Sequence, residues 1–87
     1  INISKSMTWI ICSYILRSKN RKLVLSALAR PKTPSQIAKE TGILLPHVSR
    51  ALRELEQKGL VKCLTPNEKL GRIYALTDLG KQILEML

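Results

Sequence analysis

One glycine, Gly42, divides residues 33 to 59 (TPSQIAKETGILLPHVSRALRELEQKG) into two short helical patterns, and that division leaves few folds open. The first pattern opens on a capping signal. Thr33 can accept from the backbone N–H of Gln36, and Gln36 can reach back. Pro34 sits at the first helical position, where its missing N–H costs nothing. Ile37 and Ala38 give a small apolar face. Gly42 then ends the helix, because glycine enters the left-handed conformation without a steric penalty. In the second pattern Val48, Ala51, Leu52 and Leu55 recur at i, i+3, i+4, i+7, one face of an α-helix. The opposite face carries His47, Ser49, Arg50, Arg53 and Glu54, and Gly59 stops the helix. Two helices joined by a tight glycine turn, the second with a basic outer face, form a helix-turn-helix.

The flanking segments extend this unit. Residues 1 to 4 are expected to fray. From Lys5 to Leu16 the apolar positions Met7, Ile10, Ile11, Tyr14 and Ile15 keep helical spacing, and Trp9, Cys12 and Leu16 add a second apolar face. A strand is the competing reading, since Trp, Ile and Tyr favour extended backbone; the persistence of the spacing favours a helix. Ser18 is a fitting N-cap for a helix from Lys19 to about Ala29, with Leu23, Val24, Ala27 and Leu28 as its apolar side. After Gly59 the period changes from 3.6 to 2. Residues 60–65 read as a strand, 65–71 (TPNEKLG) as a loop and 72–76 as a returning strand, a β-hairpin. Thr77 caps a last helix whose apolar side is Ile83, Leu84 and Leu87, with Asp78 near its positive end.

TPSQIAKETGI, then HVSRALRELEQKGLV, then GRIYALTDLG resembles the winged helix-turn-helix regulators of bacteria and archaea, of the MarR/ArsR-like kind, and most of all small archaeal members. The resemblance covers roughly residues 17 to 84. It implies a mainly α fold with a small β-hairpin (α+β), here with extra N-terminal and C-terminal helices. It divides the chain into an N-terminal apolar segment, 1–16, and a DNA-binding domain, 17–87. The recognition helix would span about residues 45–58, and the wing, about 65–72, would lie along the DNA backbone or in the minor groove. The family usually has a polar N-cap where this chain has Leu44, and often polar residues in place of Leu45 and Pro46.

Candidate contacts follow from position. Arg50 and Arg53, three apart on the outer face, can enter one groove, where arginine suits guanine or phosphate. An Arg50–Glu54 ion pair at i, i+4 is the competing role. His47 and Ser49 lie in the first turns of the helix, where bases are met. Ser35 and Gln36 open the first helix, a place suited to phosphate. Lys69 and Arg72 flank the wing. Leu44 is expected to pack inward and Pro46 to start the helix, while Leu45 is open between core packing and a thymine methyl.

Charge and composition narrow the partner. The formal net charge of +9 on 87 residues is strong. Residues 1 to 39 hold eight basic groups and no acid, and all six acids lie between Glu40 and Glu85, an asymmetry that attracts polyanions. With Trp9, Tyr14 and Tyr74 as the whole aromatic set, the composition argues against a base-stacking RNA-binding sheet. Cys12 and Cys63 lack ligand spacing, so no metal or cofactor is expected, and reduced core thiols fit a cytoplasmic protein. The run from Met7 to Leu16 falls well short of the about 20 residues of a membrane span. It has the look of a signal-peptide core, but no small-residue cleavage site follows it. The chain opens on Ile1, which fits a fragment or a processed product.

No catalytic set is visible: the lone His47 has no nucleophile or acid at motif spacing, and no glycine-rich phosphate loop is present. Three readings therefore stand. The first is a sequence-specific transcriptional regulator on double-stranded DNA. The second is a winged-helix protein-interaction module of the transcription machinery. The third is a sequence-independent, chromatin-type DNA binder. No small-molecule effector is legible. The apolar segment is too much for a small monomer to cover, so a homodimer is expected through Met7, Ile10, Ile11 and Tyr14, through Ile83, Leu84 and Leu87, or through both.

Overall fold

The computed structural model describes residues 5–87; the fraying expected of residues 1 to 4 lies outside them. Five helices and a two-stranded hairpin follow in the order α1 (Lys5–Leu16), α2 (Lys19–Ala27), α3 (Pro34–Thr41), α4 (Leu45–Gln57), β1 (Val61–Cys63), β2 (Tyr74–Leu76) and α5 (Asp78–Met86). Lys5–Leu16 is thus a helix and not a strand. It is not buried all round: Thr8, Cys12 and Ile15 face the core, whereas Trp9 and Ile10 are 71% and 67% exposed.

The helix boundaries follow local chemistry. Ser18 accepts from the Arg21 N–H at the start of α2. Thr33 and Gln36 form the reciprocal capping box that opens α3, at 3.2 and 2.9 Å. Gly42 leaves α3 at φ 76°. At the end of α4 the Gly59 N–H donates to Glu56 O (2.9 Å) and the Leu60 N–H to Leu55 O (3.0 Å), the paired bonds of a left-handed C-terminal turn, with Gly59 at φ 74°. Thr77 then does two jobs. Its hydroxyl accepts from the Gly80 N–H (3.0 Å) at the head of α5 and donates to Gly59 O (2.6 Å) at the foot of α4.

The core gathers from every helix. Ile15, Val24, Leu25, Leu28, Ile37, Val48, Leu52, Leu55, Leu60 and Ile83 are essentially inaccessible to solvent. The α4 stripe is the expected one. In α2 the buried residues are Val24 and Leu25, with Leu28 buried at its C-cap and Leu23 and Ala27 only half-buried, so the apolar face is rotated from its expected position toward Leu25.

The strands are shorter than expected, three residues each, in antiparallel register Val61↔Leu76, Lys62↔Ala75 and Cys63↔Tyr74. Beyond Cys63 one more backbone bond, Leu64 N–H to Ile73 O (2.7 Å), continues the pairing; the Ile73 N–H then donates to Thr65 Oγ1 (2.9 Å), and the Glu68 N–H closes a turn onto Thr65 O (3.1 Å). Tyr74 also forms a bridge with Lys32, through two backbone bonds of 2.8 and 3.0 Å. The connection entering α3 is thereby fastened to the hairpin. Lys32 is fixed further by an ion pair to Glu40 (2.6 Å) and a bond from its ammonium to Ala27 O.

Candidate nucleic-acid interface

The start of α4 departs from the usual polar cap, and its geometry explains how it manages without one. Leu44 occupies the N-cap position in extended conformation with no side-chain bond to the helix. Four N–H groups ordinarily lack partners at such an end, here those of positions 44 to 47. Pro46 has no N–H, and the His47 N–H donates to Leu44 O (2.9 Å) beside the regular helix bond from the Val48 N–H to the same oxygen (3.1 Å). Among the described residues that leaves the Leu44 and Leu45 N–H groups without a bond, both on exposed residues. The expectation that Leu44 packs inward is corrected: it is 68% exposed, and Leu45 is 45% exposed. With Val48 facing the core, the residues one turn ahead of the buried stripe project off the end of the helix into solvent.

Past that start, α4 turns Pro46, Arg50 and Arg53 outward, opposite Val48, Ala51, Leu52 and Leu55. Glu54 is not the partner of Arg50. It pairs with Arg21 of α2 across 3.2 Å, and among the described residues neither Arg50 nor Arg53 makes an ion pair.

Clefts border the helix on both sides. On one side, a groove of about 370 Å³ is lined by Ser35 at the head of α3, Leu45 and Ser49 of α4, and Lys69, Leu70, Gly71 and Arg72 of the hairpin loop. Arg53 and Arg72 share the cleft next to it with Ser49. On the other side, His47 and Arg50 line a smaller polar cleft with Ser18, Asn20 and Arg21. The fold thus brings Ser35, Leu45, Ser49, Arg53, Lys69 and Arg72 together on the hairpin side and sets His47 and Arg50 on the α2 side. Gln36 stands apart: its amide oxygen is occupied by the Thr33 N–H, and it faces Arg30, Lys32 and Lys39. Arg72 is partly committed, since its Nε donates to Glu68 O (2.6 Å) and braces the loop.

Leu70, 89% exposed between Lys69 and Gly71, stands in the hairpin loop beside the expected wing residues, and only its place in a turn-rich loop points to it in the sequence. Arg21 borders the α2-side cleft, and its pairing with Glu54 is not legible in the sequence because the partners lie 33 residues apart.

The expected dimer residues divide. Ile83 is wholly buried in its own protomer, so its assignment to an interface is corrected; α5 turns this face onto the core rather than outward. Ile11 and Leu84 are packed partly into that core. Tyr14 is occupied too, with the Arg21 guanidinium 3.8 Å and the Lys58 ammonium 4.9 Å from its ring centre. Exposed on the two terminal helices are Met7, Trp9, Ile10, Leu16 and Met86, with Leu87 at the margin. Among the described residues, no helix is long and apolar enough to cross a membrane. Nor do three His, Cys, Asp or Glu side chains gather there into a metal-holding group, so no metal site is assigned.

A helix-turn-helix whose second helix is flanked by a β-hairpin, on a core completed by helices at both ends, is a winged helix-turn-helix. The model of the bacterial regulatory protein, arsR family, matches residues 18–62, and the chain belongs to that family. Among solved structures the fold is similar to TubR bound to 24 bp of tubC from Bacillus thuringiensis serovar israelensis (TM-score 0.80, 20% identity, 99% of this chain and 94% of that one). It is also similar to a point mutant of MarR from E. coli complexed with operator DNA (TM-score 0.70, 27% identity, 93% and 63%). Over 65 residues, 72% of this chain, the sequence is 40% identical to the phenylalanine–tRNA ligase alpha subunit of Pyrococcus abyssi. The chain spans only 12% of that relative's length.

Proposed function

We propose that this protein is a sequence-specific, double-stranded DNA-binding transcriptional regulator, without enzymatic activity, that works as a homodimer. The observation that carries the reading is the outward pair Arg50 and Arg53, free of ion pairs among the described residues, on a helix set between two clefts. A fixed guanidinium fork can take guanine O6 and N7 in the major groove. On the hairpin side, Lys69 and Arg72 supply phosphate contacts, with Ser35 and Ser49 beside them; on the other side His47 meets base edges. Leu45 and Pro46 line the leading end of the helix, where an apolar side chain suits a thymine methyl. Gln36 is kept only as a rim contact, through the amide nitrogen left over from its cap.

The MarR structure with operator DNA supports this reading, as does membership of a regulatory family. Residues 17–87 carry the DNA-binding machinery, and within the N-terminal segment 1–16 the helix α1 gives one face to the core and the other to assembly. The exposed Ile10 and Met7, with the neighbouring Trp9 and Leu16, form the self-associating face, and Leu87 and Met86 extend it. A two-fold dimer of this kind would set two α4 helices roughly 34 Å apart and select near-palindromic sites.

Selection from random duplexes at moderate salt tests the reading, followed by the ratio of affinities for the selected and for random DNA. An enrichment of one motif and a ratio of about 10³ or more support it. A ratio near one makes the protein a sequence-independent binder, and no binding to any duplex returns the protein-interaction reading.

A further inference from the structure

Glu54 stands one turn beyond Arg50 on α4, the spacing at which arginine and glutamate pair on an isolated helix. In the folded chain that pairing does not form, and the reason is Arg21. Its Nε reaches Glu54 Oε1 (3.4 Å), and its Nη2 reaches Oε2 (3.2 Å), a two-point grip on the carboxylate. Its remaining Nη1 donates to Tyr14 O (2.9 Å), and its Cζ lies 3.8 Å from the Tyr14 ring centre. The Arg21 side chain is only 17% exposed and the Glu54 side chain 31%. A planar fork already held by the Tyr14 carbonyl and ring loses little freedom on binding a carboxylate. Arg50, exposed to solvent, would lose much. Arg21 therefore holds Glu54, although Arg50, Arg21 and Glu54 all border one cleft.

We infer that Arg21 is a positioning residue for DNA recognition: by occupying Glu54 it keeps the Arg50 guanidinium unpaired and available to the major groove. The inference rests on the proposed function, since it assigns Arg21 a role through Arg50. The grip also runs from α1, through the Tyr14 carbonyl, to the recognition helix, so the cation that frees Arg50 is anchored on the helix proposed for assembly.

Removing Arg21 leaves the carboxylate free to turn to Arg50. An exposed i, i+4 pair of this type holds its partners by about twofold. Arg21→Gln should lower affinity for the preferred duplex by about that factor more than for random DNA. Adding Glu54→Gln should restore the ratio of the two affinities, and in an Arg50→Ala background Arg21→Gln should leave that ratio unchanged. The DNA-free protein offers an independent readout: the Arg50 Nε–Hε resonance, observed by NMR, should shift in Arg21→Gln and return in the double variant. If Arg21→Gln does not fold, Arg21→Lys keeps the charge, loses the fork and carries the same comparisons.

The inference is overturned if the affinity ratio fails to recover in the double variant, or if Arg21→Gln lowers it equally without Arg50. It is also overturned if the Arg50 resonance does not move. A loss on all duplexes with a shallower salt slope, unrescued by Glu54→Gln, would make Arg21 a phosphate contact instead. If the wild-type chain prefers no duplex, the proposed function fails, while the DNA-free resonance still decides whether Arg21 keeps Glu54 from Arg50.

Discussion

Gly80 lies inside α5, where glycine ordinarily weakens a helix and alanine would strengthen it by about 1 kcal/mol. The opposite is expected here. A Cβ added at position 80 would lie 2.0 Å from Leu60 O and 3.0 Å from Leu60 C, backbone atoms that cannot rotate away. Ordinary contact begins near 3.4 Å, so α5 and the Leu60 backbone leading into β1 would have to part by about 1.4 Å. Leu60 O is also the acceptor for the Thr77 N–H (3.0 Å), and the Thr77 hydroxyl binds Gly59 O (2.6 Å). Separation by that amount breaks both bonds, each contributing about 0.5–1.5 kcal/mol, and loosens Ile83 in the core. With overpacking costing about 1–3 kcal/mol where no side chain can yield, and the propensity gain subtracted, Gly80→Ala should destabilise the fold by about 1–5 kcal/mol, about 3 at the centre of that range. In a domain this small, that lowers the melting temperature by roughly 4–8 °C for each kcal/mol. Urea unfolding followed by far-UV circular dichroism measures it. Gly42→Ala is the control: its Cβ would meet nothing within 4 Å, so only the strain of φ 76° remains, about 1–2 kcal/mol. A Gly80→Ala protein as stable as wild type, or less affected than Gly42→Ala, would refute the close-approach argument.

Three further outcomes are expected. Arg50→Ala should weaken binding to the selected site by about 1–3 kcal/mol and relax choice at one base position; an equal loss on every duplex in a titration series would reassign it to phosphate. Changing Lys69 and Arg72 together to Ala should reduce the salt dependence of binding by about two counterions, and an unchanged slope with lower affinity would mean that Arg72 serves only to brace the loop through Glu68. Ile10→Asp should shift a micromolar sample from dimer to monomer in sedimentation equilibrium without loss of helix signal, whereas a wild-type chain that is monomeric throughout would remove the assembly face from α1.

The features legible in the sequence are those decided within a turn or two of chain. The Thr33–Gln36 box, the Ser18 and Thr77 caps, the stops at Gly42 and Gly59 and the α4 stripe each depend on near neighbours in the chain, and all stand where they were expected. What escaped was decided by distant chain. Arg21 and Glu54 are 33 residues apart, and the Lys32–Tyr74 bridge joins a loop to a strand across the whole helix-turn-helix. Ile83 has the same periodic signal as an interface residue or a core residue, since spacing identifies a face but not what covers it. The same holds for α1, whose two apolar faces are alike in sequence although only one meets the core. Of the candidate contacts, their helix and turn placements were readable. The division of α4 between a hairpin-side groove and an α2-side cleft was not, because it depends on how three elements converge.

The unaided start of α4 has a consequence for how such a protein changes over time. Where a serine or aspartate holds a helix in place, replacing it trades recognition against fold. Here backbone geometry and Pro46 settle the helix end, and the side chains of Leu44 and Leu45 are committed to no bond. If the proposed function holds, positions 44 and 45, at the leading end of α4, are the part of its DNA-facing end that can be exchanged most freely. A lineage could drift to a new target sequence through them, one substitution at a time, while each intermediate stays folded.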